Sequence, residues 1–214
     1  MDRPTIAIIG GTGDLGSGLA GRWAAAGYSV VLGSRSREKA DAAAAKIGPG
    51  VRGDDNLGAA QAGDIVVIAV PYSNHDAILA EMRDALTGKI VVDAAVPLVP
   101  PKVSVVQLPS EGSGAQVARR ILGDGVKVTS AFHNVGAKKL RGDGPVDCDV
   151  LVFGDDRAAK EAVIALAQAA GTRGIDGGPL SNSAAAEALT SVLIGINRRY
   201  KVDGAGIRIT GLPA

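Results

Sequence analysis

The 214-residue chain carries a formal net charge of +1, 46% hydrophobic residues, 30 glycines and only 3% aromatics. That length suits one large or two small domains with a sizeable core. A near-neutral charge with no basic block gives no electrostatic footing for nucleic acid or an anionic membrane surface. No apolar run approaches the ~18 residues of a membrane span and no signal-peptide pattern opens the sequence, so a cytoplasmic protein is expected. The single cysteine, Cys148, rules out an internal disulfide; Asp147 and Asp149 beside it would raise a thiol pKa, so it reads as structural.

The first strand pattern runs from Thr5 to Ile9 and leads into Gly10-Gly-Thr-Gly-Asp-Leu-Gly16. A helical pattern follows from about Leu15 to Ala26, then a second apolar run from Tyr28 to Leu32. Gly11, Gly13 and Gly16 fit G-x-G-x-x-G, and Gly10, Gly13 and Gly16 fit G-x-x-G-x-x-G. Between a strand and a helix such a loop binds a dinucleotide. One glycine makes the tight turn, one lets the backbone approach a pyrophosphate, and one lets helix pack on strand. The helix N-terminus offers N–H groups and a positive dipole end to the phosphates, and Thr12 adds a hydroxyl.

An NAD site places Asp or Glu at the end of the second strand, roughly 20 residues past the glycines. Here the run is Gly33, Ser34, Arg35, Ser36, Arg37, Glu38, Lys39. Ser34, Arg35 and Lys39 can hold a 2′-phosphate through charge-assisted hydrogen bonds, which predicts NADP(H). Arg37 to Lys39 equally suit the solvated first turn of the next helix.

That helix extends to Ile47 and stops at Gly48, Pro49 and Gly50. Val51 to Gly53 predicts a short strand and Asn56 to Ala62 a short helix. Strands follow from Asp64 to Val70 and from Gly88 to Val96, each closed by a proline, Pro71 or Pro97, with a helix to Leu86 between them. Ligands of open parallel sheets sit beyond the carboxyl ends of strands. That places Val70, Pro71, Asn74, Val96 and Pro97 around a nicotinamide, unless the prolines simply end strands. His75 reads as a surface or capping residue.

Residues 99–112 form a Pro-, Val-, Ser- and Gly-rich loop, Ser113 to Leu122 a helix, and Lys127 onward a strand entering a loop that holds His133. The remainder reads as strand (Val150–Gly154), helix (Arg157–Ala170) capped by Asp155-Asp156, strand (Thr172–Asp176), and a helix to about Tyr200 capped by Asn182 or Ser183. A Gly-rich tail closes it. The whole predicts an α/β doubly wound parallel sheet, with a dinucleotide-binding unit over 1–145 and a smaller C-terminal α/β portion over 146–214 forming the other wall of the crevice. Two distant histidines and one cysteine make no metal site.

The chain resembles the small NADP-dependent oxidoreductases that exchange a hydride with the deazaflavin coenzyme F420. The matching pieces are 10–16, Gly33-Ser34-Arg35 with Lys39, the Val-Pro pairs at 70 and 96, Phe132-His133, Gly154-Asp155-Asp156 and Gly178-Pro-Leu-Ser-Asn-Ser183. The resemblance implies that Thr12, Gly13, Asp14, Leu15, Ser34, Arg35 and Lys39 face the adenosine and phosphate half of NADP(H). Asn74, Val96 and Ala137 would lie by its nicotinamide half, and His133, Asn134, Val135 and Ala205 by the F420 co-substrate. Both rings carry the hard chemistry, so the protein stacks them and excludes water. His133 is either a proton-handling group or a wall residue. Other readings are an NADP-dependent imine or metal-ion reductase, or a non-catalytic NADP-binding sensor. A homodimer through the helix Ala184 to Ile196 is expected.

Overall fold

The computed structural model describes residues 3–142 and 144–212. The first half alternates strand and helix: β1 (Ile6–Ile9), α1 (Asp14–Ala25), β2 (Val30–Ser34), α2 (Arg37–Ile47), β3 (Val51–Asp55), α3 (Asn56–Ala62) and β4 (Ile65–Ile68). It continues through α4 (His75–Leu86), β5 (Ile90–Asp93), α5 (Gly114–Leu122) and β6 (Lys127–Ser130). The C-terminal portion adds β7 (Asp149–Gly154), α6 (Arg157–Ala169), β8 (Arg173–Gly178) and α7 (Ser183–Tyr200). All strands form one eight-stranded sheet in the order β3-β2-β1-β4-β5-β6-β7-β8. Neighbours are parallel except β6 and β7. The order reverses at β1, between β2 and β4, the place where a doubly wound sheet opens a crevice.

The inner strands are apolar on both faces because both are covered. Ile6, Ile8, Leu32 and Val67 pack with Leu19, Trp23, Ala44 and Leu166 from α1, α2 and α6. Ala7, Ile9, Val31 and Ile68 pack on the opposite face with Ala59, Leu79, Met82 and Ala118 from α3, α4 and α5. Small residues allow this close layering. A Cβ on Gly53 would stand 2.2 Å from the Asp41 nitrogen, so α2 rests almost on the backbone of β3.

The two strands expected to run into prolines end earlier, β4 at Ile68 and β5 at Asp93. The cause in β5 is the Asp93 side chain, whose Oδ1 accepts from Ala95 N–H at 3.0 Å and bends the chain out of the ladder. Val70-Pro71 and Val96-Pro97 therefore lie past the strand ends, in the crevice rim. Asp156 caps α6, accepting from Ala159 N–H at 2.8 Å, while Asp155 accepts from Leu180 N–H at 3.0 Å instead. Neither Asn182 nor Ser183 caps α7 through its side chain: Asn182 donates to the Gly177 carbonyl (3.2 Å) and Ser183 to Ser113 Oγ (2.8 Å). A single 3-10 turn, Leu180–Asn182, leads into that helix. The run 178–183 is thus a joint that aims α7 at the crevice.

Trp23 ties the halves together. Its indole N–H donates to the Leu166 carbonyl at 2.8 Å and its ring meets Phe132 edge-on at 5.8 Å between centroids. Trp23→Ala should lower the unfolding free energy by ~3–5 kcal/mol, the range for deleting a large buried aromatic. Urea titration followed by circular dichroism checks this; a loss under about 1 kcal/mol would contradict it.

Candidate functional site: a crevice at the carboxyl ends of the strands

The loop after β1 has the shape of a phosphate cradle. Gly10 carries the turn at φ +81, and a Cβ there would lie 2.6 Å from the Ala69 carbonyl oxygen. Gly16 packs the helix on the loop, with 2.8 Å from its added Cβ to Gly11 Cα. Gly11 is held as tightly, 2.8 Å from Leu32 Cδ2, whereas Gly13 is exposed and would meet only the Gly10 oxygen at 3.3 Å. Of the two spacings, the one opening on Gly10 describes the turn. Gly13 also precedes α1 with no side-chain cap, so the first turn, with Asp14 and Leu15, directs its N–H groups outward beside exposed Thr12. Of these four glycines Gly13 alone is exposed; the other three serve close packing of the loop on its neighbours.

At the end of β2, Ser34 is half-buried and Arg35 exposed. Ser36 caps α2, accepting from Lys39 N–H at 3.4 Å, so Arg37 to Lys39 are indeed that helix's first turn. Arg37 pairs with Asp54 (3.6 Å) and Asp41 (4.0 Å). Among the described residues no ion pair engages Arg35 or Lys39. Lys39, Thr12 and Asp14 border a groove of about 1410 Å³ whose greater part runs down α1 toward Ala26 and Gly171. The residues expected around the second ring lie in the other direction, past the carboxyl ends of β4, β5 and β6.

There Val70 is 8% exposed, Pro71 and Asn74 stand in the open, Val96 is half-buried and Pro97 buried. After β6 the chain adopts φ +68 at Phe132, a conformation rare for a bulky residue and concentrated at functional sites. Trp23 braces that ring, and the turn delivers His133. His133 is 6% exposed; its Nε2 lies 3.3 Å from Ser130 Oγ and its Nδ1 has no partner among the described residues. Asn134 is turned inward, its amide donating to the Asp149 carbonyl at 2.6 Å and to Cys148 Sγ at 3.2 Å. Val135 is 8% exposed, and Gly136 abuts the tail: a Cβ on it would lie 2.7 Å from Gly204 Cα. Ala205 N–H donates to Asn197 Oδ1 at 2.8 Å. Val135, Gly136 and the Gly204-Ala205 turn therefore form one wall.

Ala137 begins a short 3-10 segment over α1. Arg22 holds that segment from below, donating to the carbonyls of Leu140 (2.9 Å) and Gly144 (2.7 Å), while Arg141 pairs with Asp14. Cys148 is buried with its thiol pushed up, first by burial and further by Asp149 and Asp147, which fits a structural role.

The sequence missed His75, which is fully buried rather than on the surface. Its Nε2 lies 2.8 Å from Asp93 Oδ2 and its Nδ1 3.0 Å from Asp76 Oδ1. Glu187, buried on α7, also went unseen. The available signals were an acid closing the apolar run Ile90-Val-Val-Asp93 and a lone Glu in Ala184-Ala-Ala-Glu-Ala-Leu189. Neither says where its partner lies.

The buried titratable groups shift in opposite directions. Burial pushes His75 down, but the hydrogen bond to Asp93 and its charge, with help from Asp76, bring it up to about 9. Burial raises Glu187 to about 7 against the N–H of Gly114, and lowers His133 to about 4 against the pull of Asp93. His133 is neutral near pH 7. Raised folded-state values favour folding at low pH: the Glu187 contribution fades as pH rises from 4.5 through about 7, and that of His75 from 6.5 through about 9. The depressed His133 acts the other way, its contribution lost as pH falls from 6.5 through about 4. The thermal midpoint, followed by circular dichroism, should fall steadily between pH 6.5 and 9.5, and His75→Gln should flatten the upper part. An alkaline limb unchanged in that variant would refute the assignment.

The family model described as NADP oxidoreductase, coenzyme F420-dependent, matches residues 5–97. The chain is 43% identical to the F420-dependent NADP reductase of Methanocaldococcus jannaschii over 221 residues, covering 97% of this chain and 98% of that protein. It is 43% identical to the protein of the same name from Methanothermobacter thermautotrophicus, covering 97% and 95%. A crystal structure of an Arthrobacter sp. FB24 protein, provisionally described as an F420-dependent NADP reductase, superposes with a TM-score of 0.82 at 28% identity, covering 97% of this chain and all of that one. Identity at this level over nearly the whole length, on a sheet of this order with a phosphate cradle at its switch point, means that the chain belongs to the family of coenzyme F420-dependent NADP oxidoreductases.

Proposed function

We propose that this chain transfers a hydride between NADP(H) and the deazaflavin coenzyme F420. What carries the reading is the joining, at one end of one sheet, of a glycine cradle beside Ser34, Arg35 and Lys39 with a wall built from His133, Val135, Gly136 and Ala205. The first half suits a 2′-phosphorylated dinucleotide. The second suits a flat ring, since glycine and alanine let the backbone approach closely.

When bound, the two rings supply the redox chemistry, the hydride passing between nicotinamide C4 and deazaflavin C5. The residues of this chain do the rest. Gly13, Asp14, Leu15 and Gly16 receive the pyrophosphate with Thr12, and Gly11 lets α1 sit close enough to do so. Ser34, Arg35 and Lys39 hold the 2′-phosphate. Val70, Pro71, Asn74, Val96, Pro97 and Ala137 line the nicotinamide half and keep water out. His133 is a wall residue: its imidazole is neutral and nearly buried, with Nε2 beside Ser130 Oγ, so it shapes the wall and does not store a proton. Its neighbour Asn134 supports the wall from behind. An imine reductase would need a proton donor beside the imine nitrogen, which is protonated as the carbon takes the hydride, and this wall has no clustered acid or base for that. A sensor would have no use for a second-ring wall at all.

The apolar side chains left exposed on and beside α7, among them Val192, Tyr200, Val99 and Val105, support a homodimer. A cytoplasmic location is supported by the single, unpaired cysteine; among the described residues no helix is long and apolar enough to cross a membrane.

The decisive assay mixes NADPH with oxidised coenzyme F420 and follows loss of the deazaflavin absorbance. No hydride transfer and no binding in a titration would end the proposal. Arg35→Ala should weaken use of NADPH by ~1.5–3 kcal/mol in kcat/KM while leaving NADH nearly unaffected, the scale of one charge-assisted contact. Comparable use of NADH and NADPH by the unmodified chain would contradict that assignment. His133→Ala should slow transfer less than about tenfold, whereas removal of a working acid–base group costs ~100-fold or more; pre-steady-state mixing separates the two.

A further inference from the structure

Behind the two Val-Pro segments lies a set of polar side chains that hydride transfer does not use directly. His75, Asp93, Ser113 and Ser183 are fully buried and Glu187 is 1% exposed. Burial of so many polar groups is unfavourable unless each is hydrogen-bonded, and a fully satisfied network fixes the geometry of what surrounds it.

The bonds run between the walls of the crevice. One Asp93 oxygen meets His75 Nε2 at 2.8 Å and the other accepts from Ala95 N–H at 3.0 Å. A single carboxylate thus ties the start of α4, next to Asn74, to the segment entering Val96-Pro97. Glu187 accepts from the N–H groups of Gly114 (2.6 Å) and Ala115 (3.1 Å), and Ser183 bonds Ser113 at 2.8 Å, so α7 is fastened twice to the start of α5. Three nicotinamide- and deazaflavin-side elements converge on Gly114. A Cβ there would lie 3.1 Å from Tyr72 Cε2, 3.4 Å from Glu187 Oε2 and 3.8 Å from the Ala95 oxygen. The Tyr72 ring stacks on His75 with 5.2 Å between centroids. Farther along α7, Thr190 donates to the His133 carbonyl at 2.9 Å.

We propose that His75, Asp93 and Glu187 are positioning residues for hydride transfer: the His75–Asp93 pair fixes the nicotinamide-side segments, Glu187 fixes the α7 wall behind His133, and the gap between the two rings is set from this one anchor. The proposal rests on the function given above. Hydride transfer tolerates little misplacement, because a shift on the order of 1 Å between reacting atoms costs ~100-fold in rate. A network that references both walls to one carboxylate and one glycine removes that slack.

The test uses His75→Leu, His75→Gln and Glu187→Gln in the full chain. Leucine leaves Asp93 buried without its partner, whereas glutamine keeps a side-chain donor. His75→Leu should slow single-turnover transfer from NADPH to coenzyme F420 by 10- to 100-fold, and His75→Gln should recover most of it. Glu187→Gln should raise the KM for the deazaflavin several-fold with little change in the KM for NADPH. Affinity for adenosine 2′,5′-bisphosphate, which has no nicotinamide, should stay within about twofold in all three. Should His75→Leu not fold, Gly114→Ala, which presses one methyl on the Tyr72 ring, gives the same pattern at smaller amplitude. Emission of bound NADPH reports the nicotinamide surroundings without a second substrate and should shift in His75→Leu. Equal transfer rates in all variants, or a loss of adenosine bisphosphate affinity in step with the rate, would overturn the proposal. A wild type that leaves F420 oxidised, while bound NADPH still responds to His75→Leu, would remove the proposed function and keep the positioning role.

Discussion

The contact on which the rest of the molecule depends is that of Trp23. It sits on the helix whose N-terminus faces the phosphate cradle, bonds the Leu166 carbonyl of α6, and braces Phe132 in its left-handed turn. A positive φ at phenylalanine costs on the order of 1–3 kcal/mol and persists only where its surroundings over-determine it. Here an indole edge and the core around it supply that, and the reward is the inward aim of His133. The same helix also carries Arg22, which donates to the carbonyls of Lys139, Leu140 and Gly144. The glycine loop and the Phe132–His133 turn therefore share one helix as their support.

Charge follows the same division. At the corner where the 2′-phosphate is proposed to sit, Arg37 and Arg52 are drawn to Asp54, which sorts one group of cations into structure and leaves Arg35 and Lys39 on the surface. In the C-terminal portion the carboxyl of fully buried Asp149 is held below its ordinary pKa, first by the hydrogen bond from Arg173 and then, against the cost of burial, by the Ile209 N–H. A buried ion pair of this kind confers specificity more than net stability; it fixes the register of β7, β8 and the tail at once.

Much of this was legible in the sequence because it is local. The glycine turn, the apolar strands and the helices of α/β alternation are dictated by neighbours a few residues apart. What could not be read is long-range. His75 looks like a helix-start residue until Asp93, eighteen positions on, is seen beside it. Glu187 looks like a solvated acid until it is found at the N-terminus of α5. The early end of β5 escaped for a related reason: a side chain, Asp93, replaced the ladder that apolar periodicity promised. Phe132 carries no residue-type signal for a left-handed turn.

The tail that packs against Gly136 has a kinetic meaning. Ile209 N–H reaches Asp149 across 60 residues, and Asp149 N–H returns to the Ile207 carbonyl. The cradle closes over three residues, Gly13 N–H to the Gly10 carbonyl. Loop closure is entropically dearer and slower when the joined segments lie far apart in sequence. On loop-closure cost alone the Gly10–Gly13 turn forms before the tail docks, so early in refolding the glycine loop has its shape while the segment from Val135 to Ala205 is still open chain.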